Sequence, residues 1–236
     1  MEAKQDAAKS PTLFGGAFGR WLDNFWYHYK GVTLVVLFAL IVGIVCTVQI
    51  CSRPPKADFN LVYAGEADLR PTASNTDHEK IVSSLGNIAP KNADGETPTF
   101  EFYFYQIFTG DYVPSQSANA NNIESLKDEL DLGAAFIYLM DEEVYKTYTA
   151  NASGDRYVVS VAPYLPEGST ARLTEDGCGV YLHSLPLGQA EGFSSLPEDT
   201  VLCLRVKFTF SNMLGASDTD GIYPLYEELF RRMLAE

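Results

Sequence analysis

The feature that most constrains this chain is a run of 22 residues without a charged side chain, from Gly31 to Ser52. At about 1.5 Å per residue, a helix of that length reaches roughly 33 Å, enough to cross the hydrocarbon core of a bilayer. A cleavable signal peptide has a shorter apolar region followed by a small-x-small cleavage site, and no such site follows this run. The run therefore predicts an uncleaved signal-anchor, a single-pass transmembrane helix at residues 31–52 that holds the chain in the lipid bilayer.

Residues 1–30 are predicted to form a cytoplasmic tail that contains an amphipathic juxtamembrane helix. Four aromatic rings recur at helical spacing on one stripe of this helix: Phe14, Phe18, Trp21 and Phe25. Three further rings follow where the chain enters the headgroup layer: Trp26, Tyr27 and Tyr29. Amphipathic rings favour that layer, because one edge stays hydrated while the body is buried.

Charge predicts the orientation of the chain and excludes one class of partner. Four Lys/Arg residues precede the apolar run, and three follow it closely, so the positive-inside rule places the N-terminus in the cytoplasm. The residues after position 56 hold 11 Lys/Arg against 28 Asp/Glu, a net charge of −17. An acidic domain is repelled by nucleic acid, so we expect no nucleic-acid partner. The predicted location is the cell membrane, with the C-terminal domain outside the cytoplasm.

After a stiff spacer at residues 53–57, residues 58–236 alternate between strand-like and helix-like segments. Strands are predicted at Asp58–Gly65, Thr99–Phe108, Gly133–Met140, Arg156–Leu165, Gly177–Leu182 and Thr200–Phe210. Both faces of the second strand are apolar, which predicts a central strand covered on two sides. The alternation indicates an α/β or α+β fold, a layered extracytoplasmic domain with a mixed sheet.

Helix boundaries are predicted from capping residues. Thr76 and Glu79 match a capping box, Asn121 or Asn122 caps a helix after a 14-residue polar loop, and Asp141 caps a short helix after the third strand. In the last helix Pro224 is predicted in the first turn. Its buried face is predicted to contain Leu225, Leu229, Phe230 and Met233.

Chemical motifs are scarce in this domain. His78 falls in the first turn of a helix, where solvent exposure is expected, and His183 and Ser184 are adjacent on a strand and so point to opposite faces. No nucleophile elbow, phosphate-binding glycine loop or HExxH sequence occurs. We therefore expect a protein without catalytic residues and without a cofactor.

Two weaker patterns concern calcium and cysteine. Asp218, Asp220 and Glu227 match positions of an EF-hand loop, but Ala216 replaces the first ligand, so we expect an acidic turn and no metal site. Cys178 and Cys203 lie in the domain, either as one disulfide or as two buried thiols.

The chain resembles a group of uncharacterised single-pass proteins of Gram-positive anaerobic bacteria. The resemblance rests on the aromatic entry FWYHYKG, the anchor, the spacer ending PPKADFNLVYAG, and the tail GVYLHSLPL…LPEDTVLCLRV. In such proteins AAFIYLMDEEVYKTY and the LPL…LPED stretch look like pieces of a type 2 solute-binding protein. The resemblance implies a solute-binding shape, although about 180 residues is short for two full lobes.

Three functions are left open, and the leading one is a membrane-tethered, non-catalytic binding domain. It predicts a ligand cleft at the carboxyl ends of two strands, around Tyr63, Gly65, Met140 and Asp141, where open α/β sheets leave a crevice. The alternative is a structural or regulatory protein that docks another envelope protein, which predicts an exposed apolar patch. The third is a carboxylate-based hydrolase, which predicts converging carboxylates with raised pKa.

Overall fold

The computed structural model describes residues 17–51, 57–70, 76–92, 95–150, 156–207 and 219–235. The chain divides into two compact units, residues 1–56 and residues 57–236. Most of the predicted spacer, and Phe14 of the predicted juxtamembrane stripe, lie outside the described residues.

The described part of the first unit is one helix, α1, which runs from Ala17 to Cys51 over 35 residues. The predicted juxtamembrane and membrane helices are therefore one continuous helix. An 18-residue window within the segment Phe25–Val48 has a mean hydropathy of 2.8, and none of this window is buried. By length and composition this is a candidate transmembrane or signal-anchor segment. The rings of Trp26, Tyr27 and Tyr29 at its start are exposed.

A five-stranded mixed sheet forms the centre of the second unit. Its strands are β1 (Phe59–Gly65), β2 (Phe100–Gln106), β3 (Ile137–Asp141), β4 (Gly179–Tyr181) and β5 (Thr200–Leu204). The order is β2-β1-β3-β5-β4. Strands β2, β1 and β3 are parallel, whereas β5 is antiparallel to both β3 and β4. The predicted mixed sheet is confirmed.

Among the described residues of the domain, four α-helices accompany this sheet: α2 (Asp77–Ile88), α3 (Gln116–Leu132), α4 (Glu142–Tyr148) and α5 (Thr219–Ala235). The buried side chains form two clusters, because alternate residues of each strand point to opposite faces. The first cluster joins one face of the sheet to α2 and α5. The second joins the other face to α3 and α4.

Strand β2 is not central, contrary to the prediction, but lies at one edge of the sheet. Phe102 is its one buried residue, and the other aromatic rings of the strand are half-buried. The strand pairs with β1 alone, because the chain then crosses through α3 to place β3 on the other side of β1. Its rings cover the flank of both clusters, which explains why both faces are apolar in an edge strand.

Helix α3 begins earlier than predicted. The hydroxyl of Ser115 accepts a hydrogen bond from the Ala118 amide (3.4 Å), so the helix begins at Gln116 and shortens the predicted polar loop. Asn121 and Asn122 therefore lie inside the helix. The side chain of Asn119 bonds the amide and carbonyl of Phe108 (2.9 and 3.1 Å), and thereby ties α3 to the end of β2.

Two other predicted caps and one predicted strand are wrong. Thr76 precedes α2 but makes no side-chain capping bond, and the Asp141 side chain does not cap α4. The segment Arg156–Leu165 contains isolated bridges and a 3₁₀ turn at Ala162–Tyr164 in place of a strand. The final strand ends at Leu204, and residues 208–210 of its predicted range lie outside the described residues.

Helix α5 differs from the prediction in its start and in its buried face. Pro224 lies inside the helix and not in its first turn, because the helix begins at Thr219. Leu225 is 46% exposed, whereas Tyr226 is buried and its hydroxyl accepts a hydrogen bond from the Asn60 amide (2.6 Å). The other three predicted positions of the buried face are confirmed: Leu229, Phe230 and Met233.

Candidate functional site

The predicted ligand site lies where the winding of the sheet reverses. From β1 the chain passes through α2 to β2 on one side, and from β2 it passes through α3 to β3 on the other side. The carboxyl ends of β1 and β3 therefore frame a topological switch point, the usual position of a ligand crevice in open parallel sheets. Gly65 ends β1 and Asp141 ends β3.

The side chain of Asp141 occupies this switch point. One carboxylate oxygen accepts a hydrogen bond from the Tyr63 hydroxyl (2.8 Å), and the other accepts one from the Glu66 amide (2.7 Å). The Tyr63 hydroxyl also accepts a hydrogen bond from the Ala67 amide (3.2 Å). Burial raises the pKa of Asp141 above its usual value, although the hydrogen bonds from the Glu66 amide and the Tyr63 hydroxyl oppose the shift.

Gly65 leaves the space that this carboxylate fills. A Cβ atom at position 65 would lie 2.2 Å from the Cγ of Asp141, far inside van der Waals contact. The structure thus brings together Tyr63, Gly65 and Asp141, while Met140 is fully buried in the second cluster. Ligand binding by these four residues stays a prediction, and the crevice between the strand ends holds a carboxylate of the chain itself.

A cavity of about 200 Å³ lies next to this region, beside α4. We call it the α4 cavity. Its lining combines tyrosine and threonine side chains with both signs of charge. The lining residues are Glu142, Tyr145, Lys146, Thr149, Ala150, Arg156, Thr174, Glu175, Asp176 and Tyr181.

One wall of the α4 cavity is organised around Asp176. Its carboxylate accepts hydrogen bonds from the Tyr145 hydroxyl (3.0 Å to each oxygen), the Thr174 hydroxyl (2.6 Å) and the Cys178 amide (2.9 Å). The guanidinium of Arg156 forms an ion pair with it. Burial acts to raise the pKa of Asp176, but the bonds from Thr174, Cys178 and Tyr145 outweigh it, and the pKa lies below its usual value.

A second wall of the cavity is organised around Glu142. Its carboxylate accepts a hydrogen bond from the Tyr181 hydroxyl (2.7 Å) and pairs with the Lys146 ammonium (2.8 Å). The bonds from Lys146 and then Tyr181 hold the pKa of Glu142 below its usual value. The guanidinium of Arg172 lies 4.0 Å from the centre of the Tyr181 ring, an additional cation–π contact.

These two walls suit the binding of a polar molecule better than acid–base chemistry. The lowered pKa values keep Asp176 and Glu142 ionised at neutral pH, and burial raises the pKa of Tyr145 further above neutrality. A general acid or base requires a pKa near the working pH. The ammonium of Lys146 and the guanidinium of Arg156 are about half exposed on the rim, where they can also contact a guest.

A larger depression of about 410 Å³ lies at the amino end of β2, but its polar lining is exposed. It is a groove lined by Ser83, Asn87, Lys91 and Thr97, with the Lys91 ammonium 3.2 Å from the Thr97 hydroxyl. A buried polar group fixes the orientation of a ligand, and this groove contributes none. We therefore favour the smaller α4 cavity.

The remaining candidate residues do not assemble into a site. Cys178 and Cys203 are both buried free thiols. A ring nitrogen of His183 lies 3.0 Å from the Leu196 carbonyl, while the Ser184 hydroxyl donates to the Tyr181 carbonyl. His78 is half-buried, contrary to the prediction, because its ring packs edge-on against two rings of β2.

The structure describes the three residues of the calcium pattern only in part. Asp218 and the side chain of Asp220 lie outside the described residues, and the Glu227 carboxylate accepts a hydrogen bond from the Tyr164 hydroxyl (2.6 Å). In the part of the chain that the structure describes, no group of three or more His, Cys, Asp or Glu residues is placed to hold a metal ion.

No protein-family model, curated protein or solved structure matches this chain. The function must therefore be argued from the geometry of the domain.

The α4 cavity was missed by sequence reasoning. Its residues come from three separated segments. Asp141-Glu142-Glu143 carried one recognisable signal, that of a helix start. The turn Thr174–Gly177 carried a second signal, since an Asp followed by Gly is typical of a tight turn. Gly177 indeed has a positive φ of 68°. Neither signal indicates that the two segments meet.

Proposed function

We propose that this protein is a membrane-tethered, non-catalytic binding domain that holds a small polar molecule in the α4 cavity. The observation that carries the proposal is the construction of the cavity. Two ionised carboxylates, Asp176 and Glu142, are each held by a tyrosine hydroxyl and a cation. Preorganised polar groups around a partly enclosed space are typical of binding sites for small molecules.

The size of the cavity limits the ligand. A volume of 200 Å³ corresponds to about seven water molecules at ~30 Å³ each. This is below the range of roughly 300–1,000 Å³ typical of sites for drug-sized ligands. The proposed ligand is therefore comparable to a single amino acid or a small polyol.

The polarity of the lining favours a guest with both donors and acceptors. Lys146 and Arg156 place N–H donors on the rim, and Glu142 and Glu175 place acceptors there. The tyrosine rings supply the apolar part of the surface. A purely apolar guest would leave these charged groups desolvated without compensation.

The proposed setting is the extracytoplasmic side of a cell membrane. The apolar segment Phe25–Val48 supports a single-pass anchor, and the Lys/Arg distribution supports a cytoplasmic N-terminus. The two buried clusters, one on each face of the sheet, support a layered domain. The relationship to type 2 solute-binding proteins remains part of this proposal and rests on the resemblance alone.

Docking of another envelope protein has less support. It requires a contiguous exposed apolar patch, but the large apolar residues exposed in the described part of the domain are scattered singly. They are Tyr112, Leu132 and Leu225. For a hydrolase, the pKa values of Glu142 and Asp176 are lowered and not raised.

A ligand screen on the full-length chain in detergent micelles tests the proposal. Amino acids, small hydroxy acids and small polyols are added singly, and the unfolding temperature and NMR chemical shifts are recorded. We expect at least one class to raise the unfolding temperature and to perturb the signals of α4 and of residues 174–181. If saturating concentrations of every class leave both unchanged, the proposal is wrong.

Two rim variants and a matched control locate the binding. Lys146→Ala and Arg156→Ala each remove one rim cation and should weaken binding at least tenfold. Arg70→Ala removes the cation of an exposed Arg–Asp pair that does not line the cavity, and it should leave affinity unchanged. Equal weakening by all three variants would place the ligand elsewhere.

The orientation is tested separately. A protease added to intact cells should remove the C-terminal domain, whereas a tag on the N-terminus should survive until the membrane is opened. A protected C-terminal domain would reverse the proposed orientation.

A further inference from the structure

The outer edge of β2 presents backbone groups that have no hydrogen-bond partner among the described residues. The Ile107 amide donates to the Gly65 carbonyl (2.8 Å), and the Phe59 amide donates to the Thr99 carbonyl (3.1 Å). Odd-numbered residues of β2 therefore face β1, because hydrogen-bonding direction alternates along a strand. The amides and carbonyls of Phe100, Phe102 and Phe104 consequently face outward.

Few described groups form hydrogen bonds with this outer edge. Within the described ranges, the carbonyl of Gln106 has a partner on this side, the Asn122 side chain (2.7 Å), and the outward groups of Phe100, Phe102 and Phe104 have none. By contrast, β4 at the opposite edge is only three residues long, and the bridge between Leu173 and Val180 extends the sheet beyond it.

The strand also lacks the features that protect sheet edges. Soluble proteins protect an edge with proline, lysine, a bulge or an inward charge. β2 has the sequence FEFYFYQ, is paired continuously with β1 over seven residues, and carries a single charge at Glu101. Tyr103, Phe104 and Tyr105 are half-buried, so their outer flanks remain available to another strand.

We propose that β2 pairs with β2 of a second copy of this chain, antiparallel and about a two-fold axis at Tyr103. The result is a continuous ten-stranded sheet across two protomers. Two-fold pairing of identical edges is an isologous interface that closes on itself.

The strand sequence is self-complementary in this register. Phe102 of one copy is opposite Phe104 of the other, and Glu101 is opposite Tyr105. Phe102 and Phe104 are the residues whose backbone groups face outward, so each such pair exchanges two N–H···O bonds. Cross-strand aromatic pairs add to the stability of the ladder.

Other registers fit less well. An axis at Glu101 would put two like charges directly opposite each other, which is destabilising. A two-fold axis at Phe102 or Phe104 would pair fewer residues than the axis at Tyr103, which pairs the full strand. A second copy is favoured over an unrelated peptide, because it supplies the matching aromatic strand itself.

Site-specific cysteine crosslinking tests the axis. Tyr103→Cys is introduced in the full-length chain with Cys46→Ala and Cys51→Ala, in micelles under mild oxidation. Residues at a non-hydrogen-bonded antiparallel position have Cα atoms about 4.5 Å apart, within the ~4.4–6.8 Å range that a disulfide requires. We expect a disulfide-linked dimer. Leu132→Cys, exposed at the end of α3, is the control for random collision.

Two further cysteine variants test the register. Glu101→Cys alone should crosslink weakly, whereas Glu101→Cys combined with Tyr105→Cys should give the dimer. If Tyr103→Cys crosslinks no more than the Leu132→Cys control in a folded chain, the proposal is wrong.

A charge exchange at position 103 provides an independent test. Tyr103→Lys and Tyr103→Glu each put like charges opposite each other and should each sediment as monomers, while the wild type sediments as a dimer. Mixing the two variants should give a heterodimer, because the lysine at position 103 of one chain is then opposite the glutamate at position 103 of the other. A wild type that is monomeric, or a Tyr103→Lys chain that stays dimeric, would overturn the proposal.

Discussion

The hydroxyl of Tyr63 donates a hydrogen bond of 2.8 Å to the carboxylate of Asp141 across the point where the sheet reverses its winding. Tyr63 is fully buried in β1, and Asp141 ends the neighbouring parallel strand β3. The same carboxylate accepts a hydrogen bond from the Glu66 amide. In other open α/β sheets, a backbone amide at this position contacts an anionic ligand. Asp141 thus occupies the position of such a ligand.

Asp141→Ala should destabilise the domain by about 2 kcal/mol, because the Tyr63 hydroxyl and the Glu66 amide lose their acceptor. Tyr63→Phe should cost about 1 kcal/mol, since it removes one donor and the acceptor of the Ala67 amide. The variant that carries both substitutions should lose less stability than the sum of the two single losses. A double-mutant cycle based on denaturant unfolding measures this difference. Strict additivity would show that the two side chains do not interact.

The pH dependence of stability should show the raised pKa of Asp141. A carboxyl group with a higher pKa in the folded state than in the unfolded state holds its proton more tightly when folded. Its contribution to stability is therefore greatest below the unfolded pKa of about 4 and decreases as pH rises through the folded pKa. Urea unfolding of the wild type and of Asp141→Asn at a series of pH values isolates this contribution. If the difference in unfolding free energy between the two proteins is constant from pH 4 upward, the pKa of Asp141 is not raised in the folded state.

Gly65→Ala should be among the more damaging small substitutions in the domain. The added Cβ would lie 2.2 Å from the Asp141 Cγ, so the carboxylate must leave its two donors. We expect a loss of about 2 kcal/mol, in the range for a forced rearrangement in a packed interior. Gly110→Ala is the matched control, because nothing lies within 4 Å of its added Cβ. In an Asp141→Ala background the cost of Gly65→Ala should largely disappear.

The sequence predicted best those strands whose burial follows from residues that are close together in the chain. The apolar runs at β1 and β3 are visible in the chain, and the two faces of β5 follow from strict alternation. Capping residues were less reliable, because Thr76 and Asp141 carry capping side chains that do not cap, and Asp141 instead contacts Tyr63 from another strand.

The remaining differences arise from contacts that are distant in sequence. Strand β2 has the composition of a central strand, but its place at the edge follows from the crossover through α3. Leu225 and Tyr226 are adjacent on α5, and the bond from the Asn60 amide accompanies burial of the tyrosine. The α4 cavity likewise depends on the meeting of α4 with the Asp176 turn. No local pattern contains this information.

Arg205→Lys should destabilise the domain by about 2–3 kcal/mol. The guanidinium is 3% exposed and donates to the carbonyls of Glu129 (2.7 Å) and Gly133 (2.8 Å) at the end of α3. It also lies over the Phe136 ring at 4.8 Å. A lysine ammonium is a compact charge that cannot reproduce the planar fork, and a buried charge with fewer bonds is costly. Thermal or urea unfolding measures the loss, and Arg70→Lys in an exposed ion pair should be neutral.

Asp176→Asn should lower stability at neutral pH by about 2 kcal/mol, because the carboxylate accepts three hydrogen bonds and an ion pair that an amide cannot all accept. The pKa of this carboxyl is lower in the folded state, so its contribution is present above the unfolded pKa of about 4 and is lost as pH falls through the folded pKa. Wild-type stability should therefore converge on that of the variant in acid. Asp68→Asn, on an exposed pair, is the control. A wild type that keeps its full advantage over Asp176→Asn at pH values well below 3 would show that the charge of Asp176 does not stabilise this wall of the cavity.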